Sequence, residues 1–168
     1  DSLFEQEEEL TGENVSPDIS GLIGQYAHGN EPCHHVAYLY NYTEHPWKTE
    51  KILTKIVKEM YSIKPDGIAG NEDCGQMSAW LVFTALGFYP VNPAGGVYEL
   101  GRPFVRKAVL KTGNNEFTIE AELLSEKNIY VQSIELNGKK INRKQIFHQE
   151  IINGGKLVFF MGSEPAAE

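Results

Sequence analysis

"QMSAWLVFTALGFYPVNP", residues 76–93, is where this chain changes character. From Gln76 to Leu86 the apolar side chains fall nearly all round a helical wheel, which predicts a buried helix. Gly87 stands where a residue tolerant of left-handed backbone would end that helix. Upstream of this stretch the apolar spacing is helical. Downstream, short β-branched and aromatic runs alternate with turn residues. The chain therefore divides near residue 90, into a helical part (1–90, with residues 1–20 acidic) and a β-rich part (91–168), an α+β arrangement.

Two more helices are expected upstream. In residues 46–61 the positions Trp47, Ile52, Ile56, Val57 and Met60 make one apolar stripe, with lysines and glutamates opposite. Before it, Pro32 suits a first helical turn, because its missing N–H would be unpaired there anyway. "HHVAYLYNY" then carries a helix to about Tyr42. A residue before proline is pushed out of the helical region, so Glu31 is expected at the cap, outside the helix. "KPDGIAGNEDCG", 64–75, is a loop rich in turn residues. Helices joined by short links run antiparallel, so the first and third of these would run parallel. Their leading loops, "HGNEP" and "GNEDCG", would then share one end, and spacing alone brings Glu31, Glu72 and Asp73 together.

From about residue 97, "GVYEL", "VRKAVLKT", "EFTIEAEL", "IYVQSIELNGKKI", "QEIIN" and "KLVFFM" read as strands. "TGNNE", "LNGKK" and "NGGK" read as hairpin turns between them. Thr118, Glu120 and Glu122 alternate with Phe117, Ile119, Ala121 and Leu123, as a sheet with one wet face requires. An antiparallel sheet or small sandwich is expected.

The net charge of −8 is concentrated at the start of the chain. Residues 1–47 carry nine acids and no lysine or arginine. With no basic stripe, nucleic acid is not the expected partner. An acidic surface, a cation or a neutral polar ligand fits better, and "EQEEEL" reads as a solvated or frayed terminus. No apolar run is long enough to span a bilayer. The first residue is Asp1, which fits a piece of a longer chain. Two cysteines, Cys33 and Cys74, do not make a disulfide framework; they pair if the fold joins them, or stay as buried thiols.

Asn71, Glu72 and Asp73 stand just ahead of a helix N-terminus, where N–H groups and the helix dipole keep a carboxylate ionised. Such an acid can act as a general base on water, bind a cation, or bind sugar hydroxyls. Equally, Asp73 and Glu31 can serve only as helix caps, and the residues alone leave both readings open. His28, His34 and His35 lack zinc spacing, since adjacent histidines on a helix point about 100° apart. No local signature supports a Cys–His nucleophile. Tyr26, Phe88 and Tyr89 are aromatics that could floor a sugar site or simply pack.

Three motifs in this order, "GNEPCHH", "DGIAGNEDCGQMSAW" and "ALGFYPVNP", resemble the glycoside hydrolase family 92 α-mannosidases. The resemblance covers essentially the whole chain, as the C-terminal part of the family's length. It implies late helices of an (α/α)6 barrel followed by a β-rich extension. It also implies a calcium-dependent exo-acting enzyme, α-1,2-type, that releases terminal mannose with inversion, in a periplasmic, secreted or cell-surface setting. Residue by residue, the resemblance makes Asp73 the general base. It puts Glu31 on the mannose and calcium subsite, with Asn30 and Glu72 nearby. Where some members carry an aspartate, Asn71 stands here: it can orient water but cannot take its proton. The general acid belongs to the N-terminal remainder of the protein, so the chain alone is expected to be inactive. Its exposed barrel surfaces are expected to favour self-association. Two other readings compete: a non-catalytic carbohydrate-binding module, and another inverting hydrolase or phosphorylase on the same barrel.

Overall fold

A repeat of three residues per turn, not 3.6, shapes the first helical stretch. The computed structural model describes residues 1–10, 15 and 19–166. In it the helix expected from Pro32 to Tyr42 is two 3-10 pieces, Glu31–Cys33 and Val36–Tyr42. Residues three apart eclipse in a 3-10 helix. Leu39 and Tyr42 thus share an outer line and are exposed. Tyr38 and Asn41 share the inner line. The Tyr38 hydroxyl bonds Thr84 Oγ1 at 2.9 Å, and Asn41 Nδ2 donates to the Leu100 carbonyl at 2.8 Å. An α-helix would turn Asn41 about 60° away from Tyr38 and break one of these bonds. The cap is Asn30, in extended backbone; Glu31 is the first residue of the turn, not the residue outside it.

The N-terminal segment is held against this stretch. Helix α1 (Ser2–Glu5) places Phe4 5.0 Å from the ring of Tyr26, on the hairpin β1 (Leu22–Ile23) and β2 (Tyr26–Ala27). Gln25 Nε2 donates to the Glu7 carbonyl at 2.6 Å. The side chains of Glu5 and Glu7–Glu9 do face water, but their backbone is tied, which a frayed terminus would not be. Glu13 and Asp18 of the acidic segment lie outside the described residues.

Helix α2 (Trp47–Met60) buries Ile52 and Ile56 as its stripe requires, and Leu53 beside them. It also buries Glu50, which is 2% exposed, so the glutamates are not all on the wet face. Glu50 accepts the Val131 N–H at 3.1 Å and pairs with Lys144 at 3.2 Å. One turn on, Thr54 Oγ1 accepts from the buried Arg102 at 2.8 Å. These partners compensate the carboxylate for its lost hydration. Helix α3 (Gln76–Leu86) ends at Gly87, φ 91°, as read from the sequence. It is buried on one face only: Met77, Trp80 and Thr84 are inside, while Ser78, Ala79 and Val82 are exposed, Val82 by 59%. The expectation of burial all round fails because the described residues leave that face uncovered.

Two sheets enclose the second core. Strands β3 (Phe88–Asn92), β4 (Val97–Leu100) and β9 (Gln145–Phe147) form one antiparallel sheet. The other has the order β5 (Lys107–Thr112), β6 (Asn115–Glu122), β10 (Gly155–Gly162), β7 (Tyr130–Leu136), β8 (Lys139–Ile141). Phe88, Leu100 and Ile146 from the first meet Phe117, Ile119, Leu157 and Phe159 from the second. The sheet is not wholly antiparallel: β10 enters between β6 and β7 and runs parallel to β6. Hairpin logic cannot foresee that, because it pairs only neighbours in sequence.

Local readings hold in places and fail in others. Asn137 and Gly138, with φ 52° and 75°, make the β7–β8 turn, as "NG" predicts. "QEIIN" is not a strand. Its first four residues lie in helix α4 (His148–Ile152), whose Glu150 carboxylate accepts the Phe147 N–H at 2.9 Å and caps the first turn. "NGGK" therefore joins a helix to β10 and is not a hairpin. In β6 the buried positions are Phe117, Ile119 and Ala121, but Leu123, φ 61°, leaves the strand and is 72% exposed.

Candidate functional site

The two acid-bearing loops meet through glycines. A methyl group added to Gly70 would lie 2.9 Å from the Cα of Gly29, so the two backbones are in contact. Gly29 leads directly into Asn30 and Glu31; Gly70 leads into Asn71, Glu72 and Asp73. Nothing larger than glycine fits between them. The loop holding the second set is closed on itself: Ala69 N–H donates to the Met60 carbonyl at 3.1 Å and Ser62 N–H to the Gly67 carbonyl at 2.8 Å.

Asp73 and Cys74 lie in left-handed backbone, φ 47° and 57°, followed by Gly75 at 91°. For a residue with a Cβ this conformation costs roughly 1–2 kcal/mol, and such strain concentrates at functional sites. The turn is braced at both ends. Gln76 N–H donates to the Asp73 carbonyl at 3.1 Å, and Met77 N–H to the Glu72 carbonyl at 3.3 Å. The Glu72 carboxylate accepts the N–H and the hydroxyl of Ser78 at 2.9 and 3.0 Å. Glu72 thus caps the first turn of α3, and both its oxygens are engaged there. Asn71, Glu72 and Asp73 are all solvent-exposed.

Glu31 is exposed at the edge of a cavity of about 270 Å³. His35, Gln76, Trp80, Phe83 and Tyr89 line it with Glu31. Of the aromatics singled out in the sequence, Tyr89 reaches this cavity, while Tyr26 and Phe88 are core residues. Gln76, which the sequence did not mark, and Trp80, read there as a core residue, bring the first turns of α3 to the same wall. Hollows of about 380 and 410 Å³ lie elsewhere, beside Trp47 and Arg143 and beside Arg106 and Glu122, and touch none of the site residues.

Behind the loops is a buried cluster of polar rings. His28 Nδ1 is 2.9 Å from the Tyr26 hydroxyl, and His28 Nε2 is 2.7 Å from the Tyr61 hydroxyl. His34 Nε2 donates to the His28 carbonyl at 3.0 Å, and Trp80 Nε1 to the His34 carbonyl at 3.1 Å. Burial, with His34 alongside, pushes the His28 imidazolium down to about 3. His34 is lowered by the same burial. Both rings are neutral at ordinary pH. Burial also raises the Cys33 thiol, to about 11, and its Sγ donates to the Ala27 and Asn30 carbonyls. That thiol is protonated and is no nucleophile. Cys33 and Cys74 are both free; Cys33 is half-buried and Cys74 exposed, so they are neither paired nor both buried.

Among the described residues no three His, Cys, Asp or Glu side chains gather as a metal site. Glu31 and Asn30 offer hard oxygen donors of the kind calcium takes, but calcium takes six to eight. These residues alone do not make a calcium site.

Residues 1–163 match the glycosyl hydrolase family 92 catalytic domain. The chain belongs to glycosyl hydrolase family 92. It superposes on the family 92 α-mannosidase BT3965 of Bacteroides thetaiotaomicron, solved with mannoimidazole, with a TM-score of 0.89 and 43% identity. That match covers 97% of this chain and 21% of the other. The family 92 inverting mannosidase BT2199 of the same organism gives 0.78 and 40%, over 84% of this chain and 19% of that one. An uncharacterized secreted glycosidase of Arthroderma benhamiae is 32% identical over 143 residues, 83% of this chain and 18% of its own length. The chain thus spans about a fifth of the relatives it matches. Among the described residues no helix is long and apolar enough to cross a membrane.

Proposed function

We propose that this chain is the general-base-bearing portion of an inverting exo-α-mannosidase that releases terminal mannose from glycans. The observation that carries the reading is the strained turn at Asp73, set at the start of α3 and in backbone contact with the loop that carries Glu31. The names of the solved relatives, an α-mannosidase and an inverting mannosidase, support the substrate and the stereochemistry.

In this reading the Asp73 carboxylate takes a proton from a water attacking the anomeric carbon on the face opposite the leaving group. Asn71 orients that water through its amide. An inverting pair of carboxyl groups stands roughly 6.5–9.5 Å apart to admit the water. The second carboxyl, the general acid, comes from outside these 168 residues, so the chain alone does not turn over substrate. Glu31 and Asn30 hold mannose hydroxyls, with Tyr89 and Phe83 as apolar wall. Glu72 supports the site from its place at the α3 cap. Glu31 would supply one ligand to a calcium cofactor, which would help hold the sugar hydroxyls, with the other ligands coming from the remainder of the protein. Helices α2 and α3 are late helices of an (α/α)6 barrel within residues 1–90, and 91–168 form a β-rich subdomain. The exposed face of Ser78, Ala79 and Val82 packs on earlier helices of the protein, or on a second copy when they are absent. An α-1,2 linkage is the substrate proposed, and the secreted fungal relative favours export from the cytoplasm.

Asp73→Asn in the full-length protein, assayed for mannose release from an α-1,2-mannobioside, is expected to lower kcat by about 10³-fold, within the range for loss of a general base. The 168-residue chain serves as the inactive reference. Turnover close to wild type would remove Asp73 from the role.

A further inference from the structure

The cluster behind the loops has a direction. Tyr61 has one hydroxyl proton, and the Met77 carbonyl at 3.1 Å can only accept it. The Tyr61 oxygen must then accept from His28 Nε2–H at 2.7 Å, and His28 Nδ1 must accept from the Tyr26 hydroxyl at 2.9 Å. A single chain of donors therefore runs Tyr26, His28, Tyr61, Met77. It starts on β2, one residue before the Gly29–Glu31 loop in His28's own case, and passes through the end of α2. It finishes in the first turn of α3. There Met77 N–H holds the Glu72 carbonyl, so the chain ends on the residue that braces the Asp73 turn.

His28 is fully buried, and Tyr61 stacks on Trp80 at 5.9 Å with planes 6° apart, so neither has freedom to swing toward the cavity. The mechanism above uses neither side chain. Their bonds cross the gap between the two acid-bearing loops at a fixed length. A charged His28 would carry a proton on Nδ1 as well and lose the bond from Tyr26.

From this geometry we infer that His28 and Tyr61 are positioning residues, which set the spacing between the Glu31 loop and the Asp73 turn without touching substrate. The inference rests on the proposed role of Asp73 as base. A shift of about 1 Å in a catalytic group costs as much as 10²-fold in rate, so slack in this relay should appear in kcat.

The test is Tyr61→Phe in the full-length protein. It removes one oxygen and keeps the ring on Trp80. The expected result is kcat lowered about tenfold with KM little changed. Ile119→Val, in the sheet core, is the reference for stability loss alone: it should lower the melting temperature and leave kcat unaltered. Tyr26→Phe loosens the same relay at its far end and should lower kcat by about threefold. Should Tyr61→Phe not fold, Tyr26→Phe decides. A relay variant whose kcat matches Ile119→Val would overturn the inference and leave the role of Asp73 standing. A wild-type protein that releases no mannose would sink both.

Discussion

The helical region and the β sandwich differ most in what they bury. The sandwich core is phenylalanine, isoleucine, leucine, valine, methionine and alanine, from facing strands and, at Ile151, from α4. The helical core includes Tyr26, Tyr38 and Trp80, and around them lie buried His28, His34, Thr49, Glu50 and Thr84. The two buried side-chain atoms without a partner among the described residues, Ser20 Oγ and His34 Nδ1, are both there. An apolar core tolerates repacking if its volume is kept. A core of directional bonds does not, because each leaves a partner unpaired when it breaks. The contrast teaches where directional bonds concentrate: most buried polar side chains lie in the helical region, with Glu99 on β4 and Arg102 just beyond it the exceptions.

The joint between the regions should show the largest effect. Glu50→Ala removes the carboxylate that reaches from α2 to the Val131 N–H and Lys144; it leaves the Val131 N–H buried and unpaired and the half-buried Lys144 without its partner. A loss of about 1–3 kcal/mol is expected in urea unfolding. A loss below 1 kcal/mol would mean the regions are joined by apolar contact alone.

Acid should act on the helical region first. His28 is depressed to about 3 in the folded protein, against about 6.5 unfolded. The unfolded chain therefore takes up a proton as pH falls below 6.5, and the folded chain does not. Stability is full above that pH and declines toward 3. By pH 5 this amounts to about 2 kcal/mol, with His34 adding in the same direction. Glu50, raised by burial, works oppositely, since the folded state takes its proton first. Unfolding free energies that are equal at pH 7 and pH 5 would contradict the prediction.

The smallest effect tests the strained turn. Cys74→Gly should raise stability by up to about 1 kcal/mol, as glycine adopts φ 57° without a Cβ penalty but loses more freedom on folding. A destabilised variant would show that the Cys74 side chain, though exposed, holds the turn.

Much of this was legible in the residues. The stripe of α2, the stop of α3 at Gly87 and the alternation of β6 are local patterns, and each appears where periodicity put it. The same is true of the two loops, whose meeting followed from short links. Glu50 escaped notice because its charge belongs to a wet face by composition, and its partner Val131 is 81 residues away. His28 looked like one of several stray histidines; its place just before "GNEP" was the available signal.

By itself the sequence determined helices α2 and α3, most of the long strands and which loops carry the acids, since those depend on neighbours a few residues apart. Tertiary structure decided the rest. It set the 3-10 pitch through a Tyr38–Thr84 bond spanning 46 residues. It also placed β10 parallel beside β6. Each of these is settled by partners distant in the chain, and no short window of residues contains them.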